Sequence, residues 1–564
     1  MLRCFLRSPQ AAAAALRGPF LARAIASSVA PIDLAAETQP HTLTGLGGLL
    51  QRLGQWEALG DKPAITCGVS GRSITYADLP GRIRGAAEAL EATHSFGRGD
   101  TMALHLPNSP EYAVAFLGVA GAGGTNTTSN PLYTARELQG QLEDSGARLL
   151  LTSRMWAEVA EEAAAGAPSC ERVLYVEDED CFVHAPPSVA GGQELPSPAT
   201  GGAFNLDEDL VVLPYSSGTT GKPKGVMLSH ANLMANVLQL TADAEVNIGY
   251  DAEDVVLGVL PFFHIYGMVV IMATTFATGA SVVTLPKFDP EQFLSTMAEH
   301  KVTVGMLVPP ICIFLAKHPM VDDYDLSALR MIFSGAAPLD AATEAACASR
   351  LGGVVMRQGS GMTELSPVSH LNPRPGSSVP IKTGTIGKIV PNMECKVVCT
   401  DTGAELGPHG VGELWMKGPN RMVGYLNRPD ANAETITEDG FLKTGDIGHF
   451  DEDGYFTISD RIKDLIKVKG FQVAPAELEG LLLSHPAVAD CAVIGVPDDM
   501  AGEVPKAFIV LKPGIEEGDA TVTDIKQFIA DTVAEFKQIA HITFVETIPK
   551  SAAGKILKRM LRDQ

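Results

Sequence analysis

Short apolar runs alternate with amphipathic segments along most of this chain, and that alternation limits the folds open to it. Between residues 77 and 152, "YADLPGRIRGAAEALEA" has helical periodicity and "TMALHLP" reads as a buried strand. "SPEYAVAFLGVAGAG" and "TARELQGQLEDSG" then read as helices and "ARLLLTS" as a strand. The pattern resumes with the strand "KGVMLSH", after which Ser229 can cap the helix "HANLMANVLQL". "DVVLGVLP", "ASVVTLP", "VTVGMLVP" and "LRMIFSG" follow as further buried strands. Strands separated by helices run parallel through βαβ crossovers, so the expected class is α/β.

A chain of 564 residues exceeds one simple core, so two or more domains are expected. From about residue 384 the texture changes. "TIGKIV", "MECKVVC", "GELWMKG" and "GYFTISD" read as short strands of a small β-subdomain. After Asp460 come a helix ("PAELEGLLLSHPAV"), two strands ("VADCAVIGVPD", "KAFIVLK"), a helix ("VTDIKQFIADTVAEFKQ") and a strand ("HITFVETIP"). The expected organisation is a large domain of parallel sheets with the β-subdomain over 40–460, then a small mobile α+β domain over 464–564. The boundary falls near residues 461–463. Residues 170–204, acidic and rich in Pro, Gly and Ser, read as a surface excursion, and no internal repeat is present.

The net charge of −23 argues against nucleic acid or an anionic membrane as the main partner. Any anionic ligand must then be held by local geometry. Nine scattered cysteines, without a C-x-x-C pair, point to a reducing compartment and to packing rather than metal ligation. The first 32 residues carry Arg3, Arg7, Arg17 and Arg23 and no acid, which is the composition of a transit peptide. The mitochondrial matrix is the favoured destination, with chloroplast and cytoplasm as alternatives. An uncharged run over 255–286 contains Pro261, His264 and several glycines and threonines. A buried strand, loop and helix explain it better than a transmembrane span, and peripheral contact with a membrane is left open.

The chemistry concentrates first in "YSSGTTGKPKGV", residues 215–226. It follows the apolar run "DLVVLP", a buried strand, and packs hydroxyls, glycines and lysines together. Glycines let the backbone approach a ligand closely, and hydroxyls, freed N–H groups and lysines can face an anion. A phosphate-holding loop is expected. It is not the common nucleotide P-loop, because Gly221-Lys222 is followed by Pro223 rather than Ser or Thr.

Other polar, glycine-bearing stretches stand at expected strand ends: "FSGAAP" (333–338), "QGSGMTE" (358–364) and "KTGDIG" (443–448). "DRIKDLIKVKGFQV" (460–473) and "PKSAAGKILKR" (549–559) follow. Singly, each reads as a turn or a solvated lysine. In this order and spacing they resemble the adenylate-forming superfamily of acyl-CoA synthetases, 4-coumarate:CoA ligases, beetle luciferases and peptide-synthetase adenylation domains. The "PFFHIYG" and "GKPKGV" stretches are most similar to the 4-coumarate:CoA ligases.

The resemblance implies a two-step, ATP-dependent carboxylate:CoA ligation. A carboxylate attacks the α-phosphate of Mg·ATP to give acyl-AMP, and the coenzyme A thiol then displaces AMP. It implies that Ser216, Ser217, Gly218, Thr219, Thr220, Gly221 and Lys224 hold the outer phosphates. Thr363 would contact the α-phosphate, and Glu364 would hold Mg²⁺. Gly335, Ala336 and Ala337 would line the adenine and acyl floor, with Gln358, Gly359, Ser360, Gly361 and Met362 beside the nucleotide. Asp446 and Arg461 would bind the ribose, and Lys555 would bridge carboxylate and phosphate in the first step. His264 would gate the thiol tunnel, while Lys463, near the nucleotide, would be the hinge of the small domain. Lys467 and Gln472 would act near the carboxylate and nucleotide, and Lys469 and Gly470 would border coenzyme A. Phe263, His264, Phe333, Gly361, Pro367 and Val368 would form the acyl pocket.

Three positions depart from the 4-coumarate pattern. Ser360 replaces a tyrosine, Phe333 replaces a lysine, and Phe263 stands where a tyrosine often precedes the histidine. Two partners for a phenolic hydroxyl are thereby lost, which favours an apolar acyl or aryl acid. The alternatives are an enzyme loading a carrier protein in trans, a luciferase-like oxygenase, and an inactive adenylate-binding protein.

Overall fold

The computed structural model describes residues 23–25, 45–188, 205–216, 223–242, 244–337, 339–468, 471–498, 500–551 and 554–562. Two sheets organise the large domain. The nine-stranded sheet runs, in spatial order, Lys388–Ile389, Val368–Leu371, Val355–Gly361, Met331–Ser334, Val304–Leu307, Val255–Gly258, Ser281–Thr284, Pro63–Cys67 and Ser73–Thr75. From Val355–Gly361 to Pro63–Cys67 every neighbouring pair is parallel. These strands are buried on both faces, which is why they read as unbroken apolar runs.

The second sheet has Thr101–His105 at its centre, parallel to Thr125–Thr128 and Leu149–Thr152. Helices cover both of its faces. Pro110–Gly121 and His230–Thr241 bury their side chains in the main core, while Leu138, Leu142 and Ala160 close a smaller core on the other side. The helix His230–Thr241 begins with a capping box: Ser229 Oγ accepts from the Asn232 N–H, and Asn232 Oδ1 accepts from the Ser229 N–H. The run 255–286 forms a strand, a turn, the π-helix Tyr266–Ala273, the helix Thr274–Thr278 and a strand. Among the described residues no helix is long and apolar enough to cross a membrane.

A third, antiparallel sheet is the β-subdomain, built on Glu394–Val398, Gly412–Lys417, Leu442–Phe450 and Phe456–Arg461. Arg23–Ile25, from the stretch expected to be a transit peptide, pairs on its edge with Glu394–Lys396. Beyond Arg461 a separate small domain has its own core of Ile466, Leu478, Val493, Ile509 and Ile525.

The structure corrects three expectations. The strand in "TIGKIV" joins the nine-stranded sheet through Val368–Leu371, because its partners are backbone groups across the seam rather than its sequence neighbours. The helix begun in "VTDIKQ" is Asp519–Ala530 and stops there. Thr532 returns its hydroxyl to the Phe528 carbonyl, and Val533 and Phe536 turn onto the small-domain core. The glycines of "KTGDIG" lie inside the strand Leu442–Phe450 rather than at its end, whereas those of "QGSG" stand at the end of Val355–Gly361 as expected.

Candidate active site

The strand Val355–Gly361 leaves the parallel ladder at its last residues and forms an antiparallel hairpin with Val368–Leu371. That change of partner needs small residues. A Cβ on Gly359 would stand 2.5 Å from Phe333 Cζ and 2.8 Å from the His370 carbonyl. One on Gly361 would stand 2.3 Å from the Pro367 carbonyl. Neither neighbour can move without breaking the ladder, so both positions require glycine. Pro367 follows a cis bond to Ser366 and accepts from the Met362 N–H. Val368 is buried and its carbonyl accepts from Asn236 and Asn420.

Phe333 is 3 % exposed and meets the Tyr266 ring edge-on at 6.2 Å. The Tyr266 hydroxyl lies 3.2 Å from the Phe333 carbonyl and 3.3 Å from that of Leu307. Gly335 passes over this ring so closely that a Cβ would lie 3.1 Å from it. Ala336 follows in the left-handed region at φ +69 and is exposed with half-buried Ala337 beside it. Asn108 holds the preceding loop by donating to the Gly258 and Leu260 carbonyls and accepting from the Phe262 N–H. Phe263 is fastened through its carbonyl to Thr128 Oγ1. His264 Nδ1 accepts from the Tyr266 N–H, and burial together with nearby Lys555 lowers the imidazole to about 4. It is a neutral ring at physiological pH.

The polar half of the site joins three elements. Asp446 and Arg461 are opposite partners on adjacent strands, with Arg461 Nε 2.8 Å from Asp446 Oδ1. Asp446 raises the guanidinium further above its ordinary range. Thr363 opens a short 3-10 turn that carries Glu364 into the interior. Glu364 Oε1 accepts from the Tyr425 hydroxyl at 2.8 Å, and Lys224 Nζ lies 4.7 Å above the Tyr425 ring. Ser216 and Lys224 are cross-strand partners, so they form the base of the glycine loop. Ser217, Gly218, Thr219, Thr220 and Gly221 lie outside the described residues.

The small domain closes over this half. A Cβ on Gly554 would lie 3.2 Å from Val308 of the large domain. Lys555 is thereby set in the field of Arg461, Asp446 and Glu364. Burial, and then Arg461, lowers its ammonium below the usual lysine range, while Asp446, Asp464 and Glu364 oppose that shift. The structure thus brings Lys555, Glu364, Asp446, Arg461 and His264 together.

Other expected residues stand elsewhere. Gln358 donates through its amide to the Leu339 carbonyl and to Glu344, so its side chain braces the fold. Lys467 is exposed on the strand Ile466–Val468, where its N–H donates to Glu503. Lys463 lies in the turn between the strands Phe456–Arg461 and Ile466–Val468. Lys469 and Gly470 lie outside the described residues, as does the side chain of Gln472. Tyr266, Tyr425 and Asn108 belong to the site and were not singled out by sequence. Tyr266 had a signal in "PFFHIYG"; Tyr425 had none, because only its pairing with Val226 brings it to Glu364.

A carboxylate–guanidinium pair, a buried carboxylate near Lys224, and a lysine delivered by a second domain point to a nucleotide-handling enzyme. Residues 54–426 match the AMP-binding enzyme family, and residues 477–555 match the AMP-binding enzyme C-terminal domain. The chain is 41 % identical over 507 residues to 4-coumarate–CoA ligase 1 of Petroselinum crispum, covering 89 % of this chain and 91 % of that one. The ATP-bound MatB of Rhodopseudomonas palustris superposes with a TM-score of 0.80 at 31 % identity, covering 92 % of this chain and 99 % of that one. An anthranilate CoA ligase in complex with anthranoyl-AMP superposes with a TM-score of 0.81 at 27 % identity, covering 93 % and 97 %. The chain belongs to the AMP-binding enzyme family across both its large and its C-terminal domain.

Proposed function

We propose that this chain is an ATP-dependent carboxylate:CoA ligase that takes an apolar aryl or acyl acid. Relatives carry the names 4-coumarate–CoA ligase, anthranilate CoA ligase and benzoate CoA ligase. The observation that carries the reading is the closure of Lys555 over Glu364, Asp446 and Arg461. Charge accumulates on the α-phosphate as the carboxylate attacks, and a partly desolvated cation stabilises it more strongly there than in water. Asp446 accepts from the ribose hydroxyls, with Arg461 holding its orientation. No cluster of three metal-ligating side chains occurs among the described residues. Mg²⁺ normally uses one or two carboxylates plus the phosphates, and Glu364 fits that role with Oε2 remaining after Tyr425 engages Oε1. The neutral His264 ring can border a thiol path without drawing in water as an imidazolium would. Release of AMP and pyrophosphate across a panel of acids, with and without coenzyme A, tests the assignment. Acid-dependent AMP release that is indifferent to coenzyme A would defeat it.

The substrate preference follows from Phe333 and Phe263. Phe333 lies under Gly359 against Tyr266, whose hydroxyl is already engaged with backbone carbonyls. Neither phenylalanine can pair with a phenol, and a buried hydroxyl left unpaired costs about 1–3 kcal/mol. That is roughly five- to 150-fold in specificity. Cinnamate or a medium-chain fatty acid should therefore show higher kcat/KM than 4-coumarate, and Phe263→Tyr should narrow the gap. A tenfold preference of the wild type for 4-coumarate over cinnamate would refute this reading of the pocket.

The arginine-rich, acid-free N-terminus supports import into the mitochondrion. Sequencing the native protein should find its first residue between about 27 and 35; an intact Met1 in a cytosolic fraction is the contrary result.

A further inference from the structure

Antiparallel pairing places Ser360 directly opposite His370. Their shared face looks toward the β-subdomain, where the His370 ring lies 4.4 Å from that of Phe456. Ser360, His370, Thr444, Asp446, Leu414 and Ile458 line one small pocket there. Gly361 and Met362 share its wall, so the pocket opens on the groups read above as nucleotide-binding.

His370 is 1 % exposed, and its Nε2 has no partner within the protein. The hydrogen bonds around it assign its proton. Ser369 Oγ donates to the Ser360 carbonyl at 3.2 Å. A serine hydroxyl has one proton to give. The 3.0 Å contact between Ser369 Oγ and His370 Nδ1 is then a donation by Nδ1. Nδ1 carries the hydrogen and Nε2 presents a lone pair. Burial lowers this imidazole to about 3, so the ring stays neutral. Buried polar atoms are normally paired, and an acceptor left bare beside a ligand cleft calls for a donor from the ligand.

We propose that His370 is a specificity-determining residue for the nucleoside, its Nε2 accepting a hydrogen bond from the exocyclic amino group of the purine. Ser360, whose side chain is small, lines the same pocket as His370. A 6-amino purine supplies the N–H that this acceptor needs. A purine with hydrogen at that carbon supplies nothing, and a 6-keto purine sets oxygen against the lone pair. The inference rests on the nucleotide reading of the site and deepens it.

The test is calorimetric binding of AMP, purine ribonucleoside monophosphate and IMP to the full chain. Wild type should bind AMP about tenfold more tightly than the 6-unsubstituted analogue, the value of one buried hydrogen bond, and should bind IMP more weakly still. His370→Leu should lose most of that preference, and His370→Gln, whose Oε1 also accepts, should keep it. A purely structural role against Phe456 would weaken all three nucleotides alike. Equal wild-type affinity for AMP and the unsubstituted analogue overturns the proposal without any variant having to fold. An unchanged preference in His370→Leu overturns it too, as does tighter binding of IMP, which would mean that Nε2 carries the proton. Failure of wild type to bind AMP at all would instead overturn the nucleotide reading, and this inference with it.

Discussion

Lys555→Ala should slow formation of the acyl-adenylate by roughly two to three orders of magnitude, the loss seen when one preorganised transition-state donor is removed. Thioester formation from supplied acyl-AMP should stay within a few-fold of wild type. The asymmetry follows from where Lys555 stands. It reaches the site only because the small domain rests Gly554 against Val308, and there it faces Arg461, Asp446 and Glu364. Burial has already lowered its ammonium, so the charge is poorly solvated and gains most from a developing anion. Lys555 itself is tied down locally: its N–H donates to Ser551 Oγ, and its carbonyl accepts from the Ser551 N–H. Removing the ammonium should therefore leave the loop in place. The two half-reactions can be timed separately, by pyrophosphate release and by thioester absorbance. Equal losses in both would contradict a role confined to adenylation.

Lys463→Pro should do the reverse. The turn between the last β-subdomain strand and the small domain is held by Ile462 donating to the Gly445 carbonyl and by Asp464 and Leu465 donating to Arg461. Proline fixes φ near −65° and pushes the residue before it out of the helical region. The resemblance implies a small domain that turns about Lys463, and a turn exchanging the Lys555 face for the strand that carries exposed Lys467 would change those angles. We expect the thioester step to fall by about a hundredfold or more, the penalty that even a 1 Å misplacement can carry, while adenylation persists. Acyl-AMP should then accumulate on the protein and be recoverable by acid quench. Unchanged thioester turnover would place the hinge elsewhere.

Much of the architecture could be read in the sequence. "TMALHLP", "VTVGMLVP" and "LRMIFSG" are strands because both faces of a helix-covered parallel sheet are dry, which demands continuous apolar runs. Ser229 and Asn232 cap a helix because capping is local chemistry, complete within four residues. Asp446 and Arg461 were recognisable from the motifs that carry them, and strand pairing makes them neighbours. Gln358 shows the limit of such transfer: its motif pointed to the nucleotide, yet its amide serves Glu344 and Leu339.

What sequence alone determined here is whatever depends on near neighbours: periodicity, caps, the glycines of close turns and the order of the motifs. The contacts that make the site were decided by tertiary structure. Tyr425 reaches Glu364 across 61 positions because its strand pairs beside Lys224. Tyr266 supports Phe333 across 67 positions because a π-helix begins beneath that strand. The proton on His370 depends on a serine bonded to a carbonyl of the opposite strand. Lys555 is an ordinary terminal lysine until a second domain sets it among Arg461, Asp446 and Glu364. In each case the physical cause is the same. Hydrogen bonds and charges act within a few ångströms in space, whereas the pattern of a sequence reports only what lies within a few residues along it.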